Sequence, residues 1–202
     1  MPASEPATAR GRATRARIVQ AGTELVAERG AAGVSLDEVG ARASASRSQL
    51  YHYFQDRDDL IRAIIDATTD AVLAAQDDLL SGLDSWAGID RWFAVLEAIQ
   101  RQRQARGGCP IGSLVGQLAE RDPLARAALA DGFDRWEAHL REGLERMQAG
   151  GSLASDADPR RLATVTMALL QGGLLLSQVR RDPGQLEVAL HAARALLRTA
   201  SA

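Results

Sequence analysis

Apolar residues recur along this chain at helical spacing, and no stretch alternates as a half-buried strand does. Ile18, Gly22, Leu25 and Val26 form a first apolar face, and Gly30 reads as a left-handed cap ending that helix. Three helix starts then crowd together. Ser35-Leu36-Asp37-Glu38 and Ser46-Arg47-Ser48-Gln49 are capping boxes, in which the serine oxygen and the Glu or Gln side chain each satisfy a backbone donor. Asp56-Arg57-Asp58-Asp59 opens a third helix through its aspartate. Each cap contributes about 1 kcal/mol. The pattern predicts short helices over 36–43 and 47–53 and a long one over 57–80.

Longer amphipathic helices follow. Ile89, Trp92, Phe93, Leu96 and Ile99 share one face of a helix over 86–104. Gly107-Gly108-Cys109-Pro110 breaks it, and Pro110 suits the first turn of a helix over 110–120. Asp122-Pro123 repeats that start, and Leu129, Phe133, Trp136, Leu140, Leu144 and Met147 make an apolar stripe that stops at Gly150-Gly151. Asp158-Pro159 begins a helix to about Arg181, and Asp182-Pro183-Gly184 separates it from a last helix over 184–200. There Leu186, Leu190, Ala193 and Leu197 have the spacing of an antiparallel bundle seam. The expected fold is all-α with nine helices: a three-helix head on an antiparallel helical body. The expected organisation is a tail over 1–11, a head over 12–56 and a body over 57–202.

Composition narrows the class. Apolar residues are 46 % and charged residues 25 % of 202, a globular balance. One cysteine, Cys109, excludes an internal disulfide, and His52, His139 and His191 are too far apart in sequence for a zinc-type cluster. No metal site and no cofactor is expected. Met1 to Glu5 lack the apolar core of a secretory signal. Leu162 to Val179 carry no charge but hold Thr164, Thr166, Gln171, Ser177 and Gln178, which favours a helix buried among helices over a membrane span. A cytoplasmic protein is expected.

The charge is unevenly placed. All basic residues are Arg; residues 10–54 hold seven against four acids, and residues 66–202 hold fifteen against eighteen. A cationic first quarter suits an anionic partner. Helix 36–43, the turn Ser44-Ala45-Ser46 and helix 47–53 form a helix-turn-helix candidate. A helix end of this kind enters the DNA major groove with its positive dipole end toward phosphate. Arg47, Ser48 and Gln49 occupy that end and can read base edges; Tyr51, Tyr53 and Arg57 can reach phosphates. The plainer alternatives are that Ser35 and Ser46 only cap and that Tyr51 is a core aromatic.

Leu50-Tyr51-His52-Tyr53-Phe54 followed by Asp56-Arg57-Asp58-Asp59-Leu60 extends the match over residues 12 to 66, and here the chain resembles TetR-family transcriptional regulators. Ser35 stands at the family's threonine, Val39-Gly40 at Ile-Ala, Ala43-Ser44-Ala45-Ser46 at Ala-Gly-Val-Ser, and Arg57 at a lysine. Ser44 departs from the usual glycine, so a non-glycine residue is expected to hold a left-handed conformation in the turn. The resemblance implies that Arg47, Ser48, Gln49 and Tyr51 make base or groove contacts, with Ser35, Tyr53 and Arg57 on the DNA backbone. Arg10, Arg12, Arg15 and Arg17 either add an N-terminal contact or form a solvated tail.

The second half resembles the LmrA/YxaF-like branch through Gly108-Cys109-Pro110-Ile111-Gly112-Ser113-Leu114, Phe133 with Trp136, and Gln171-Gly172-Gly173-Leu174-Leu175-Leu176 with Arg181-Asp182-Pro183. This implies a ligand pocket among the middle helices and a dimer through the last two. Candidate ligand residues are Trp92, Phe93, Leu96, Phe133, Trp136 and Leu140, interrupted by Ser113, Gln117, Glu137, Gln171 and Gln178. Candidate interface residues are Leu169, Gly172, Gly173, Leu176, Leu186, Leu190, Ala193 and Leu197. The expected partners are a palindromic double-stranded DNA operator, a small apolar or aromatic effector and a second copy of the chain. The competing reading is an all-helical ligand carrier or enzyme with a purely structural head. Against it, the sequence has no Glu-x-x-His pair, nucleophilic triad or phosphate-cradling glycine loop.

Overall fold

A computed structural model describes residue 6 and residues 8–202. Most of the expected tail lies outside the described residues, and α1 already begins at Ala9 (Ala9–Arg29). A 3-10 turn, Ala31–Gly33, leads to α2 (Leu36–Arg42), α3 (Arg47–Tyr53) and α4 (Arg57–Ala74). The remaining helices are α5 (Asp77–Leu80), α6 (Trp86–Gln102), α7 (Pro110–Leu118), α8 (Pro123–Ala149), α9 (Pro159–Arg180) and α10 (Gly184–Thr199). Among the described residues the only β-type pairing is one isolated bridge, Leu153 to Ser201.

Two compact units emerge. One runs to Val72 and adds Ser113–Gly132; the other is Leu73–Gly112 with Phe133–Ala202. The division differs from the boundary expected at residue 57, because α7 from Ser113 and the start of α8 belong with the head.

In the head unit, α1 packs on α2 and α2 on α3. Ile18, Leu25, Val39, Leu50, Phe54, Leu60, Ile61 and Ile64 are buried there. Gly22 lets Ile64 approach: an added Cβ would stand 2.7 Å from its Cδ1. Gly40 does the same for Leu50, at 2.7 Å. Gly30 ends α1 at φ 77°, but its ψ of 161° is extended rather than helical, so it is not the left-handed cap expected. That conformation is open essentially to glycine alone, and it turns the chain straight into the 3-10 segment.

In the second unit, α9 and α10 form an antiparallel hairpin. The Ser177 hydroxyl accepts the Leu186 N–H at 3.0 Å. α6 packs on α10, where Asp90 accepts from Arg194 at 2.7 Å and Arg198 at 3.0 Å, while Arg101 donates to Glu187 at 2.6 Å. The single helix expected over 57–80 is two helices, α4 and α5. Gln76 interrupts it at φ −121°, ψ 6°, and its Oε1 accepts the buried Trp92 indole N–H at 2.9 Å. That bond outweighs helix continuity, and Asp77 and Asp78 open the next helix at its dipole-favoured end.

Gly88 in α6 is the tightest approach in this unit. A Cβ there would stand 1.7 Å from the Gly82 carbonyl oxygen, and backbone cannot yield as a flexible side chain can. Gly88→Ala is therefore expected to cost about 3 kcal/mol and to lower the thermal midpoint by about 6–12 °C. A melting curve indistinguishable from the parent's would show that α6 can shift without loss.

Candidate functional site

The second helix of the head owes its aim to the turn before it. Ser44 takes the left-handed conformation at φ 49°, as its place in the turn leads one to expect. Ala45 N–H donates to the Gly40 carbonyl at 2.9 Å and Ser44 N–H to Ala41 at 3.2 Å, the paired bonds of a Schellman C-cap. Both capping boxes close. Ser35 Oγ accepts from Glu38 N–H at 3.3 Å while Glu38 Oε2 accepts from Ser35 N–H at 3.1 Å. The Ser35 bonds hold the Glu38 carboxyl below its ordinary pKa. At α3, Ser46 Oγ accepts from Gln49 N–H at 3.2 Å and Gln49 Oε1 accepts from Ser46 N–H at 2.9 Å.

The outward side of α3 is polar and open. Arg47, Ser48, Gln49 and Tyr51 are all exposed, while Leu50 and Phe54 face inward and are buried. The Arg47 guanidinium lies 5.7 Å from the Tyr51 ring centroid, and hydrogen bonding to Tyr51 holds its pKa above the ordinary value. Tyr51 is 51 % exposed, which removes the reading of it as a core aromatic. Tyr53 is half-buried with its hydroxyl near Gly11 of α1, and Arg15 stacks over Phe54 at 5.4 Å.

Arg57 is placed differently from the phosphate contact expected of it. Its Nε donates to the Val34 carbonyl at 2.8 Å, one terminal nitrogen donates to the Ala31 carbonyl, and the other lies 3.3 Å from Asp58. Gln117 completes the grip, accepting the Ala31 N–H at 2.7 Å. The Ala31 peptide is thus held at both ends, by the first residue of α4 and by α7. Charge alone could not reveal this; the signal was only the family position of Arg57. It also removes Gln117 from a purely ligand-lining role, and Ser113 is exposed in the same head unit.

The other candidate ligand residues belong to the second unit. Trp92, Phe93, Leu96, Trp136 and Leu140 are buried there, and Phe133 is half-buried. Trp92 and Phe93 rings are 5.3 Å apart. Glu137 accepts from the Thr164 hydroxyl at 2.7 Å on a more exposed side of α8. Gln171 and Gln178 face the 108–112 segment: Gln178 Oε1 would stand 2.3 Å from a Cβ on Gly108, and Gln171 Oε1 3.3 Å from one on Gly112. Cys109 is buried, and burial raises its thiol pKa against partial offsets from the backbone N–H groups of Gly112 and Ile111 and from Gln171. A buried, protonated thiol behaves as a packing group.

The candidate interface residues separate into two sets. Leu186, Leu190, Ala193 and Leu197 are 0 % exposed and Gly173 is buried within 3.2 Å of Ala189 and Leu186 atoms, as measured from its added Cβ. These residues form the protomer's own core, so the α10 seam is internal and cannot meet a second copy. Leu176 is 45 % exposed, Leu169 is half-buried, and a Cβ on Gly172 would meet nothing within 4 Å. Three further apolar residues of this unit, none of them a candidate from the sequence, are exposed: Leu175, Val179 and Val188. The signal was present in Leu174-Leu175-Leu176, a run too wide for one buried face. α9 is long and apolar enough by composition to cross a membrane; its packing on α10 and its buried Thr166 and Ser177 fit a protein interior instead.

Comparison with known proteins agrees with this geometry. Residues 18–64 match the family described as bacterial regulatory proteins of the tetR family, and residues 85–193 match the tetracyclin repressor-like C-terminal domain. The chain belongs to the TetR family of bacterial transcriptional regulators, helix-turn-helix proteins that bind DNA and generally respond to ligands. Transcriptional regulator AcuR of Cereibacter sphaeroides is 29 % identical over 170 residues, covering 82 % of this chain and 78 % of that one. LmrA of Bacillus subtilis, an HTH-type transcriptional regulator, is 23 % identical over 171 residues, covering 84 % and 88 %. A TetR-family regulator of Cytophaga hutchinsonii shares the fold at TM-score 0.81 and 14 % identity, covering 97 % of this chain and 98 % of that one.

Proposed function

We propose that the protein is a homodimeric, ligand-responsive repressor that binds a palindromic DNA operator and leaves it when a small, largely apolar effector occupies the second unit. It acts in the cytoplasm and carries out no catalysis. The observation that carries the reading is the capped N-terminal turn of α3, which offers Arg47, Ser48 and Gln49 outward from a rigidly buried Leu50 and Phe54. Guanidinium, hydroxyl and amide groups at that turn suit base edges in a major groove. Tyr51 adds a groove contact, and Tyr53 and Ser35 contact the phosphate backbone. Two such helices related by a twofold read half-sites about 34 Å apart. The effector shifts binding by its differential affinity for the two states, typically about 1–3 kcal/mol of coupling.

Selection of bound sites from a random duplex pool tests this directly. An inverted-repeat consensus is expected, and Arg47→Ala should relax preference at one base pair per half-site by about 1–3 kcal/mol. Uniform loss of affinity on every sequence would assign Arg47 to the phosphate backbone. Recovery of no consensus would reject the operator reading.

A further inference from the structure

In the interior of the second unit, some buried polar groups find partners. The Trp92 indole donates to Gln76, and Ser177 accepts from Leu186. Gln100 Oε1, Gln171 Nε2, Trp136 Nε1 and Thr166 Oγ1 have none, and the last two belong to residues only 3 % and 0 % exposed. Buried donors are nearly always satisfied in native proteins, so an unmade bond at such depth calls for an occupant that completes it.

Trp136 and Thr166 lie at one level of the α8–α9 pair. These helices are antiparallel neighbours: Gln148 near the end of α8 donates to carbonyl oxygens of Ala154 and Ala157 in the connection, and Thr164 near the start of α9 donates to Glu137. Trp136 precedes Glu137 by one residue, and Thr166 follows Thr164 by two. Glu137 and Thr164 sit on the more accessible side, whereas Trp136 and Thr166 turn inward and are buried. Charge restricts what can complete them. Among the described residues, the buried polar side chains of this unit are Gln76, Gln100, Thr166 and Ser177, with no cation. An anion brought there would stay unbalanced, at a heavy desolvation cost.

We propose that the interior of the second unit takes an uncharged organic ligand through a carbonyl-type oxygen, which accepts from the Trp136 indole N–H with the Thr166 hydroxyl as second donor. The proposal rests on the ligand-responsive reading above and sharpens its chemistry: an apolar body carrying one neutral acceptor, rather than a hydrocarbon or a carboxylate.

Matched probes test it by calorimetry on the full chain. Phenyl alkyl ketones from acetophenone to octanophenone are compared with the alkenes in which a methylene replaces the carbonyl oxygen, and with benzoate. A ketone is expected to bind about tenfold more tightly than its alkene, the worth of one such hydrogen bond. Trp136→Phe, which keeps the ring, should abolish that difference and leave alkene binding unchanged. A purely packing role for the indole would weaken both probes together, and that result overturns the proposal. Equal binding of ketone and alkene to the parent protein also overturns it while leaving a ligand pocket in place. Benzoate binding as tightly as the ketones overturns the neutral-ligand claim. Binding of no probe defeats both this proposal and the ligand-responsive reading. If Trp136→Phe does not fold, Thr166→Val serves instead: a several-fold loss confined to the ketone supports the proposal, and equal losses overturn it.

Discussion

Replacing Arg57 with alanine should lower the stability of the protein by about 2 kcal/mol without changing how operator affinity depends on salt. The guanidinium donates to the Val34 and Ala31 carbonyls, and its removal leaves both acceptors without their charged donor in a part-buried place. For a chain of this length the thermal midpoint then falls by about 4–8 °C. A phosphate contact behaves otherwise: losing one lowers the slope of log affinity against log salt by about one and spares stability. The two measurements therefore separate two jobs that a cation beside a DNA-binding helix can do. A slope reduced by one with an unchanged melt would return Arg57 to the phosphate backbone. Gln117→Leu should mimic the stability loss more weakly, since it removes one neutral acceptor from the same Ala31 peptide.

If the protein is the homodimer proposed above, Val179→Asp should divide it into monomers and lower operator affinity by about 10²–10⁴, the advantage of engaging two linked half-sites at once. Val179 is 72 % exposed and continues the row of Gly172, Leu175 and Leu176 along α9, an apolar surface unusual on a free protomer. A carboxylate there would be desolvated on association and is readily hydrated in the monomer, so the folded protomer survives. Sedimentation should give the mass of one chain with an unchanged circular dichroism melt at low concentration. Leu190→Asp supplies the contrast. Leu190 is 0 % exposed, so the same charge there should unfold the chain rather than divide it. An intact dimer in Val179→Asp would move the interface elsewhere.

Legibility in the sequence followed the range of the interactions. Ser46, Gln49 and the apolar Leu50 and Phe54 define α3 through contacts three or four residues apart, and the structure gives that helix as Arg47–Tyr53, with the bounds the pattern predicts. Ser44 was readable through the resemblance alone, because it stands where the family usually has the glycine of the turn, and its φ is 49°. The break at Gln76 was not, since it depends on an indole sixteen residues away. The Arg57 grip depends on carbonyls 23 and 26 residues back, which no local pattern reports. The stripe Leu186, Leu190, Ala193 and Leu197 shows the remaining limit: periodicity reveals that a face is covered, not whether the cover is the same chain or another. Here α9 and α6 of the same protomer cover it.

The second capping box has a consequence for the operator. Bidentate recognition of adenine uses an amide's oxygen and nitrogen together, one accepting from N6 and the other donating to N7. In α3 the Gln49 oxygen is committed to the Ser46 N–H. While that bond holds, the oxygen is directed back at the helix start, although a second lone pair stays on it, and the amide N–H groups are the part free to turn outward; N7 is common to both purines. On the operator proposed above, a base pair met by Gln49 with this bond kept should therefore be degenerate, tolerating adenine and guanine alike, so that the sharp letters of the binding motif fall under Arg47 and its neighbours.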